Sequence, residues 1–287
     1  MDGLKPTPES LLAEMYMLRA KNPRLSVLIV EGETDRNLFC KFLGSSHWEV
    51  IPAQGKRIAL GLAAHADRRN LNFLLVVIDA DWDRCLGRCI VSDTIVYTDH
   101  NDMECTIIAT DTLDDVAREL LPASALKSLL KETGHPTLRA LLCDRAATLG
   151  WFRLISERDR LSLKFRDLPF PEFLGEADFA WDCQGLLGWL RKNNAGKEEA
   201  VARLESAFYS LRDSGGPKGL DACCGHDLLG LMAVLSARLG PSGGRDPWTG
   251  KQIEAAVRLS FAATQYSKTE MAARIARMRP REHGCEF

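Results

Sequence analysis

Over residues 8–20 the apolar positions Leu11, Leu12, Met15 and Leu18 recur at helical spacing and predict a short leading helix. The rhythm then changes. Residues 25–30 are a continuous apolar run rich in β-branched side chains, as a buried strand requires. The run stops at Glu31-Gly32, and Thr34 is placed to cap a helix through Leu38, Phe39 and Phe42 to Gly44. Residues 48–51 predict a second strand, 52–56 a loop and 57–69 a helix. Residues 72–78 carry the strongest buried-strand signal and end at Asp79-Ala80-Asp81-Trp82-Asp83. Residues 94–97 predict a fourth strand. Its direction stays open, because the link over 83–93 is short for a parallel crossover, which needs roughly a dozen residues.

Strand and helix in alternation predict an α/β unit with a mostly parallel sheet, over residues 1–110. Beyond it the spacing is helical at 113–130, 137–154, 184–192, 198–211, 226–239 and 252–278, punctuated by Pro169-Phe170-Pro171, 193–196, 214–217 and 240–247. Residues 111–287 therefore read as a mostly α-helical domain, suited to substrate or partner contacts.

Composition narrows the picture. The 287 residues are 46% hydrophobic and 26% charged, which excludes a disordered chain, a fibrous repeat and a disulfide scaffold. Lys and Arg number 37 against 39 Asp and Glu, so contact with nucleic acid would rest on local patches. No apolar run approaches the ~20 residues of a membrane span, and MDGLKPTPES lacks a secretory pattern. Nine cysteines without framework spacing read as reduced thiols, hence a cytoplasmic protein.

Acidic residues follow two strand ends. Glu31 comes directly after the first strand, with Asp35 one helical turn on; Asp79 and Asp81 follow the third, with Asp83 next. In an open parallel sheet the carboxyl ends of the strands form the ligand crevice. If these strands are neighbours, several carboxylates converge there, and a hard divalent cation, Mg²⁺ or Mn²⁺, relieves their repulsion. The plainer alternative is that strand-end acids act as caps and turn formers. Asp102 and Glu104, after the fourth strand, either support such a metal site from behind or complement a helix dipole. Gly55-Lys56-Arg57 is a glycine turn with two cations opening a helix, a candidate phosphate cradle or a solvated loop.

Over 145–166, Arg145, Arg153, Arg158, Arg160, Lys164 and Arg166 alternate with Trp151, Phe152 and Phe165, either a nucleic-acid track or an amphipathic helix. Residues 274–281 form a second basic cluster. His226 reads as a helix-start residue with a buried partner. Asp79, Asp81 and Asp83 do not open an EF-hand, since Arg84 and Ile90 hold the positions of its Gly and Glu. GRDPWTGKQ at 244–252 is not a P-loop: its glycine spacing is one too long, and Gln252 replaces the metal-binding hydroxyl.

VEGETD at 30–35 and DADWD at 79–83 resemble the two signatures of the Toprim domain, the metal-dependent fold of topoisomerases, primases and related nucleases. The acid at Asp35 is similar to Toprim nucleases of the OLD type. YTDHNDMECTII at 97–108 resembles a segment of the DUF4435 family, with WFRLISERDRLSLKF at 151–165 and GHDLLGLM at 225–232 as later landmarks. That family often has His-Asp-x-Glu-Asn where this chain has Asn101-Asp102-Met103-Glu104-Cys105, so the resemblance carries no role over to His100. It implies a Toprim (Rossmann-like) domain followed by a helical one. It further implies a Mg²⁺-dependent nuclease effector of PARIS-type anti-phage defence. Such an effector is held by an ABC-type ATPase and released to cut tRNA, with DNA as the other candidate substrate. The site would be Glu31, Asp79 and Asp81 as catalytic residues, joined by Asp35 as metal ligand, with Asp83, Asp102 and Glu104 behind and Lys56 and Arg57 at the phosphate. Association with further copies of the chain is left open. Two other readings stand beside it: a phosphatase of the haloacid-dehalogenase type, which also uses Asp-x-Asp after a strand, and a non-catalytic subunit of an ATPase complex.

Overall fold

Thr7 opens the first helix, α1 (Pro8–Lys21), through a capping box: Ser10 N–H donates to the Thr7 hydroxyl, and Thr7 N–H donates to Ser10. The computed structural model describes residues 6–240 and 247–278. Next come β1 (Ser26–Val30), α2 (Glu33–Cys40), β2 (Trp48–Pro52), α3 (Lys56–Arg69), β3 (Leu74–Ile78) and β4 (Ile95–Tyr97). The strands form one all-parallel sheet in the order β2-β1-β3-β4. β1 and β3 lie at the centre, and every residue of both is buried. That is why both read as unbroken apolar runs rather than alternating ones. Val27, Ile29, Leu74, Val76 and Ile78 share a core with Leu12 and Met15 of α1 and Leu62 of α3. The intervening strand residues point to the other face.

Two local expectations, the cap and the end of α2, are corrected, and the direction left open for the fourth strand is settled. Gly32, not Thr34, caps α2: the chain turns at once after β1, Gly32 stays extended, and the Asp35 carboxylate takes the Gly32 N–H at 3.2 Å. Thr34 then falls inside the first turn, and the helix stops at Cys40. The fourth strand runs parallel, in register Val76↔Ile95. Its connection begins at Asp79, so the crossover is longer than the 83–93 count and contains no helix. The Asp67 carboxylate anchors its far end by accepting from the hydroxyls of Ser92 and Thr94.

The chain divides into two compact units, and neither follows the expected boundary at 110. Unit one holds the sheet and comprises the described parts of 1–80, 89–99 and 262–287; unit two is 81–88 with the described parts of 100–261. Unit two carries α4 (Met103–Ile108), α5 (Thr112–Leu120), α6 (Ala123–Thr133), α7 (Leu138–Arg158), α8 (Phe170–Phe173), α9 (Cys183–Asn193), α10 (Glu198–Asp213), α11 (Gly225–Leu239) and α12 (Gly250–Ser260). The helix expected over 113–130 is broken at Leu121-Pro122, where proline forces its predecessor out of the helical region. In unit two, α7, α9 and α10 close a core around Phe152, Leu187, Leu204 and Phe208.

The helix expected over 252–278 is three helices: α12 in unit two, then α13 (Ala263–Tyr266) and α14 (Glu270–Arg277) in unit one. Several contacts return this tail to the rest of unit one, among them Phe39 edge-on to the Tyr266 ring and Arg274 Nη2 donating to the Ser92 carbonyl. The Tyr266 ring stacks on Phe42 at 4.3 Å, and both Asp99 carboxylate oxygens take N–H groups of α14, from Glu270 and Met271, each at 2.8 Å. Among the described residues no helix is long and apolar enough to cross a membrane.

Asp99 therefore acts as a remote cap beside the Thr269 N-cap, and Asp99→Ala should cost about 0.5–2 kcal/mol, the range for losing a helix cap. Hydrogen exchange should then show amides of 270–277 losing protection while β1 and β3 keep theirs. Unchanged protection in α14 would refute the capping role.

Candidate active site at the carboxyl edge of the sheet

β1 leads to β2 on one side of the sheet, and β2 leads to β3 on the other. The gap between the carboxyl ends of β1 and β3 is thus the point where the strand order reverses, which is where open parallel sheets bind ligands. Glu31 and Asp79 are the first residues past these two ends. Both are half-buried, and the Asp79 backbone N–H donates to Glu31 Oε1 at 3.0 Å. A third element meets them. Gly55 N–H donates to the Glu31 carbonyl at 2.9 Å, and Lys56, the first residue of α3, donates from Nζ to the Asp79 carbonyl at 2.8 Å. Gly55 sits at φ 129°, a conformation open to glycine and strained for other residues, and this lets α3 start directly under the strand ends. Asp35 is half-buried in the first turn of α2, and Arg57 is exposed beside Lys56.

Asp81 belongs to unit two. It holds φ 45°, an uncommon left-handed value for a non-glycine residue, and its N–H donates to the Asn101 carbonyl. The Asp83 carbonyl accepts from Arg88 N–H. Among the described residues no group of three or more His, Cys, Asp or Glu side chains is gathered as a ready metal-ligand set. Mg²⁺ asks for less: one or two carboxylates, with water and substrate phosphate completing the shell. Glu31 and Asp79, oxygen donors on adjacent strand ends, fit that requirement.

Asp102 and Glu104 are structural in unit two. Asp102 caps α4: its two carboxylate oxygens accept N–H groups from Cys105 at 2.8 Å and Gly225 at 2.6 Å. A side chain at Gly225 would meet Glu104 Cβ at 2.4 Å and Asp102 Oδ1 at 2.5 Å, so only glycine allows this approach. Glu104 is buried and bound by Arg258 from α12. Burial, then the neighbouring Glu104 charge, push the Asp102 carboxyl from 3.8 up to about 6 against its two N–H bonds.

The basic stretch over 145–166 is mostly committed inside unit two. Arg153 Nε and Nη2 bind the two oxygens of buried Asp227 at 2.7 Å each; burial opposes its charge, and the Asp227 carboxylate outweighs that and raises its pKa. Phe152 is core, Trp151 donates to the Pro217 carbonyl, and Arg158 binds Asp159. His226 stands in the first turn of α11 as expected, itself exposed, and its partner at 3.7 Å is Glu254, which is half-buried rather than buried. Thr249 and Gln252 form a capping box at the start of α12, which accounts for the end of the GRDPWTGKQ segment; residues 244–246 lie outside the described residues, as do 279–281 of the second basic cluster.

Sequence reading missed the long-range pairs that organise unit two: Arg153 with Asp227, Arg258 with Glu104, and His100 Nδ1 with Asp221 at 3.0 Å. Partners 74 to 154 residues apart leave no local signal. No family model matches the chain, and no curated protein matches it.

Because the Asp102 pKa is raised in the fold, the folded form binds more protons than the unfolded form between about pH 4 and 6. Asp102 thus adds stability below that window and loses it as pH rises through it. Carboxyl ¹³C titration should place its midpoint near 6, and Glu104→Gln should bring it down toward the ordinary carboxylate range. A midpoint near 4 in the wild type would contradict the burial argument.

Proposed function

We propose that the carboxyl edge between β1 and β3 is the active site of a Toprim-type, metal-dependent phosphodiesterase acting on nucleic acid, with tRNA the favoured substrate. One observation carries this reading: Glu31 accepts the Asp79 N–H at the strand-order reversal, so two carboxylate residues and the Lys56 ammonium meet there. A haloacid-dehalogenase-type phosphatase would leave Glu31 without a task, whereas a Toprim enzyme needs an acid at that position.

Glu31 and Asp79, with Asp35 as a further carboxylate donor, would hold Mg²⁺, which when bound would supply charge neutralisation at the phosphate and activation of the attacking water. Glu31 has the position and chemistry of a general base. Its Oε1 is oriented by the Asp79 N–H, so the carboxylate enters the reaction already placed. Lys56 is tethered by one of its three ammonium hydrogens to the Asp79 carbonyl and brings positive charge to the edge where phosphoryl charge develops. Unit two supplies the surface through which an ABC-type ATPase holds the protein until release.

Purified protein should cleave labelled RNA with Mg²⁺ and fail to do so in EDTA. Glu31→Gln and Asp79→Ala should each lower kcat at least about 100-fold with an unchanged melting temperature, since the lost interactions act mainly in the transition state. Lys56→Ala should cost less, about 10-fold. Full activity in a folded Glu31→Gln protein, or cleavage indifferent to EDTA, would overturn the assignment. Release of inorganic phosphate from small phosphomonoesters without strand cleavage would point to the phosphatase instead.

A further inference from the structure

The basic stretch over 145–166 retains three cations that the interior of unit two does not use. Arg160, Lys164 and Arg166 are exposed, and among the described residues none of them makes an ion pair. The acids beside them are mostly spent: Asp159 is bound by Arg158, and Glu157 faces Arg88 at 3.2 Å, which leaves Asp167 as the acid of the run. Arg160 shares a cleft with Asp81 and Glu157, so Lys164 and Arg166 carry more of the unbalanced charge. Burial alternates along this segment. Leu161, Leu163 and Phe165 pack on the core of unit two, while Arg160, Ser162, Lys164 and Arg166 stay exposed. That is the alternation of a near-extended chain, and it sets Lys164 and Arg166 on one side, about 6–7 Å apart along the backbone.

The backbone beneath these side chains is strained and tightly held. Seven non-glycine residues among the described ones have a positive φ, and three of them fall between 160 and 167: Arg160 at 54°, Ser162 at 53° and Asp167 at 62°. Such conformations are disfavoured for residues with a side chain, persist where surrounding contacts enforce them, and cluster at functional sites. The enforcing contacts are present. Leu161 N–H donates to the Ser156 carbonyl at 2.8 Å, and Leu163 N–H to Ser156 Oγ at 3.2 Å. Asn194, itself 4% exposed, holds both backbone groups of Lys164: it accepts the Lys164 N–H at 2.7 Å and donates from Nδ2 to the Lys164 carbonyl at 3.1 Å. Lys197 Nζ donates to the Ser162 carbonyl. The cations therefore stand on a fixed framework, which a merely solvated charged face does not need.

We propose that residues 160–166 bind a strand of nucleic acid through successive phosphates. A row of like charges at a regular step fits a polymer that carries one opposite charge per unit. The two-residue step from Lys164 to Arg166 is on the scale of the distance between neighbouring phosphates of one strand. A backbone set in advance lowers the ordering cost of binding. Phosphate contacts fix register and orientation without reading sequence, so the segment holds a strand whatever its bases. The role of that strand as substrate rests on the nuclease reading; its binding does not.

The test is fluorescence anisotropy with a short labelled oligouridylate in EDTA, over a range of about 50 to 200 mM KCl. The wild type should bind, with log affinity falling against log salt at a slope of about −2, the sum of ~0.7 for each of three phosphate contacts. Lys164→Gln with Arg166→Gln should weaken binding about 10-fold and flatten the slope by about 1.4, the share of two contacts. Lys164→Arg with Arg166→Lys keeps both charges and should bind as the wild type does. Lys127→Gln with Lys131→Gln removes the same charge from exposed positions of α6 and should change affinity by less than about 2-fold. All four side chains are exposed, so the melting temperature should hold in each variant. With Mg²⁺ and labelled RNA, the Lys164→Gln, Arg166→Gln protein should show KM raised about 10-fold and kcat unchanged, the mark of lost uniform binding. Glu31→Gln should bind in EDTA as the wild type does, so loss of cleavage and loss of strand binding are separately readable. No binding at the lowest salt, an affinity indifferent to salt, or a folded Lys164→Gln, Arg166→Gln protein that binds no worse than the α6 variant would each overturn the proposal.

Discussion

β1 and β3 lie side by side, run in the same direction and are buried on both faces, and the arrangement of unit one follows from that pairing. A parallel pair cannot be closed by a tight turn, so the chain must leave the sheet and return through a crossover. The chain goes from β1 to β2 on one side and from β2 to β3 on the other, and with the right-handed crossovers that parallel sheets follow as a rule this places α2 and α3 on opposite faces. With β1 and β3 central, the gap between their carboxyl ends is where the strand order reverses. Whatever residues follow those strands then meet. Here they are Glu31 and Asp79, joined by a backbone-to-side-chain hydrogen bond across 48 residues of sequence.

That hydrogen bond bears on the proposed chemistry. A carboxylate at the end of a strand is normally free to rotate, and ordering it costs side-chain entropy at the moment of reaction. Glu31 has already given up part of that freedom in the folded state. Lys56 reaches the same edge from the start of α3, so three separate elements present charged groups at one gap. Their mutual position is set by backbone groups: the Asp79 N–H, the Asp79 carbonyl and the Gly55 N–H.

Unit two follows a different logic. Its helices are joined by apolar packing, but its specificity of arrangement comes from a few buried charges that are fully engaged. Arg153 with Asp227, Arg258 with Glu104, and Asp102 with two backbone N–H groups satisfy each other in pairs. Such pairs are weak sources of net stability but strong penalties against misplacement, since separating them leaves a buried charge alone. Asn101 stands among these satisfied groups with its Oδ1 unmatched among the described residues.

The order of elements in the α/β unit was legible from the chain alone, because doubly buried strands leave continuous apolar runs and amphipathic helices leave a period near 3.6. Placing Glu31 and Asp79 directly after strands was likewise a one-dimensional fact. That these strands are neighbours, and that the fourth runs parallel, was decided only by tertiary pairing, since periodicity says nothing about which strand lies beside which. The caps and breaks depended on near neighbours whose geometry the pattern does not encode: Gly32 displaced Thr34 because the chain turns at once, and Pro122 split a helix whose apolar spacing ran on through it. The division into units escaped the sequence for a further reason. The tail after Phe261 has the same helical rhythm as the segments before it, and residues far upstream, Asp99 and Phe42 among them, draw it back to the sheet. Helical periodicity records that a face is buried; it does not record against what.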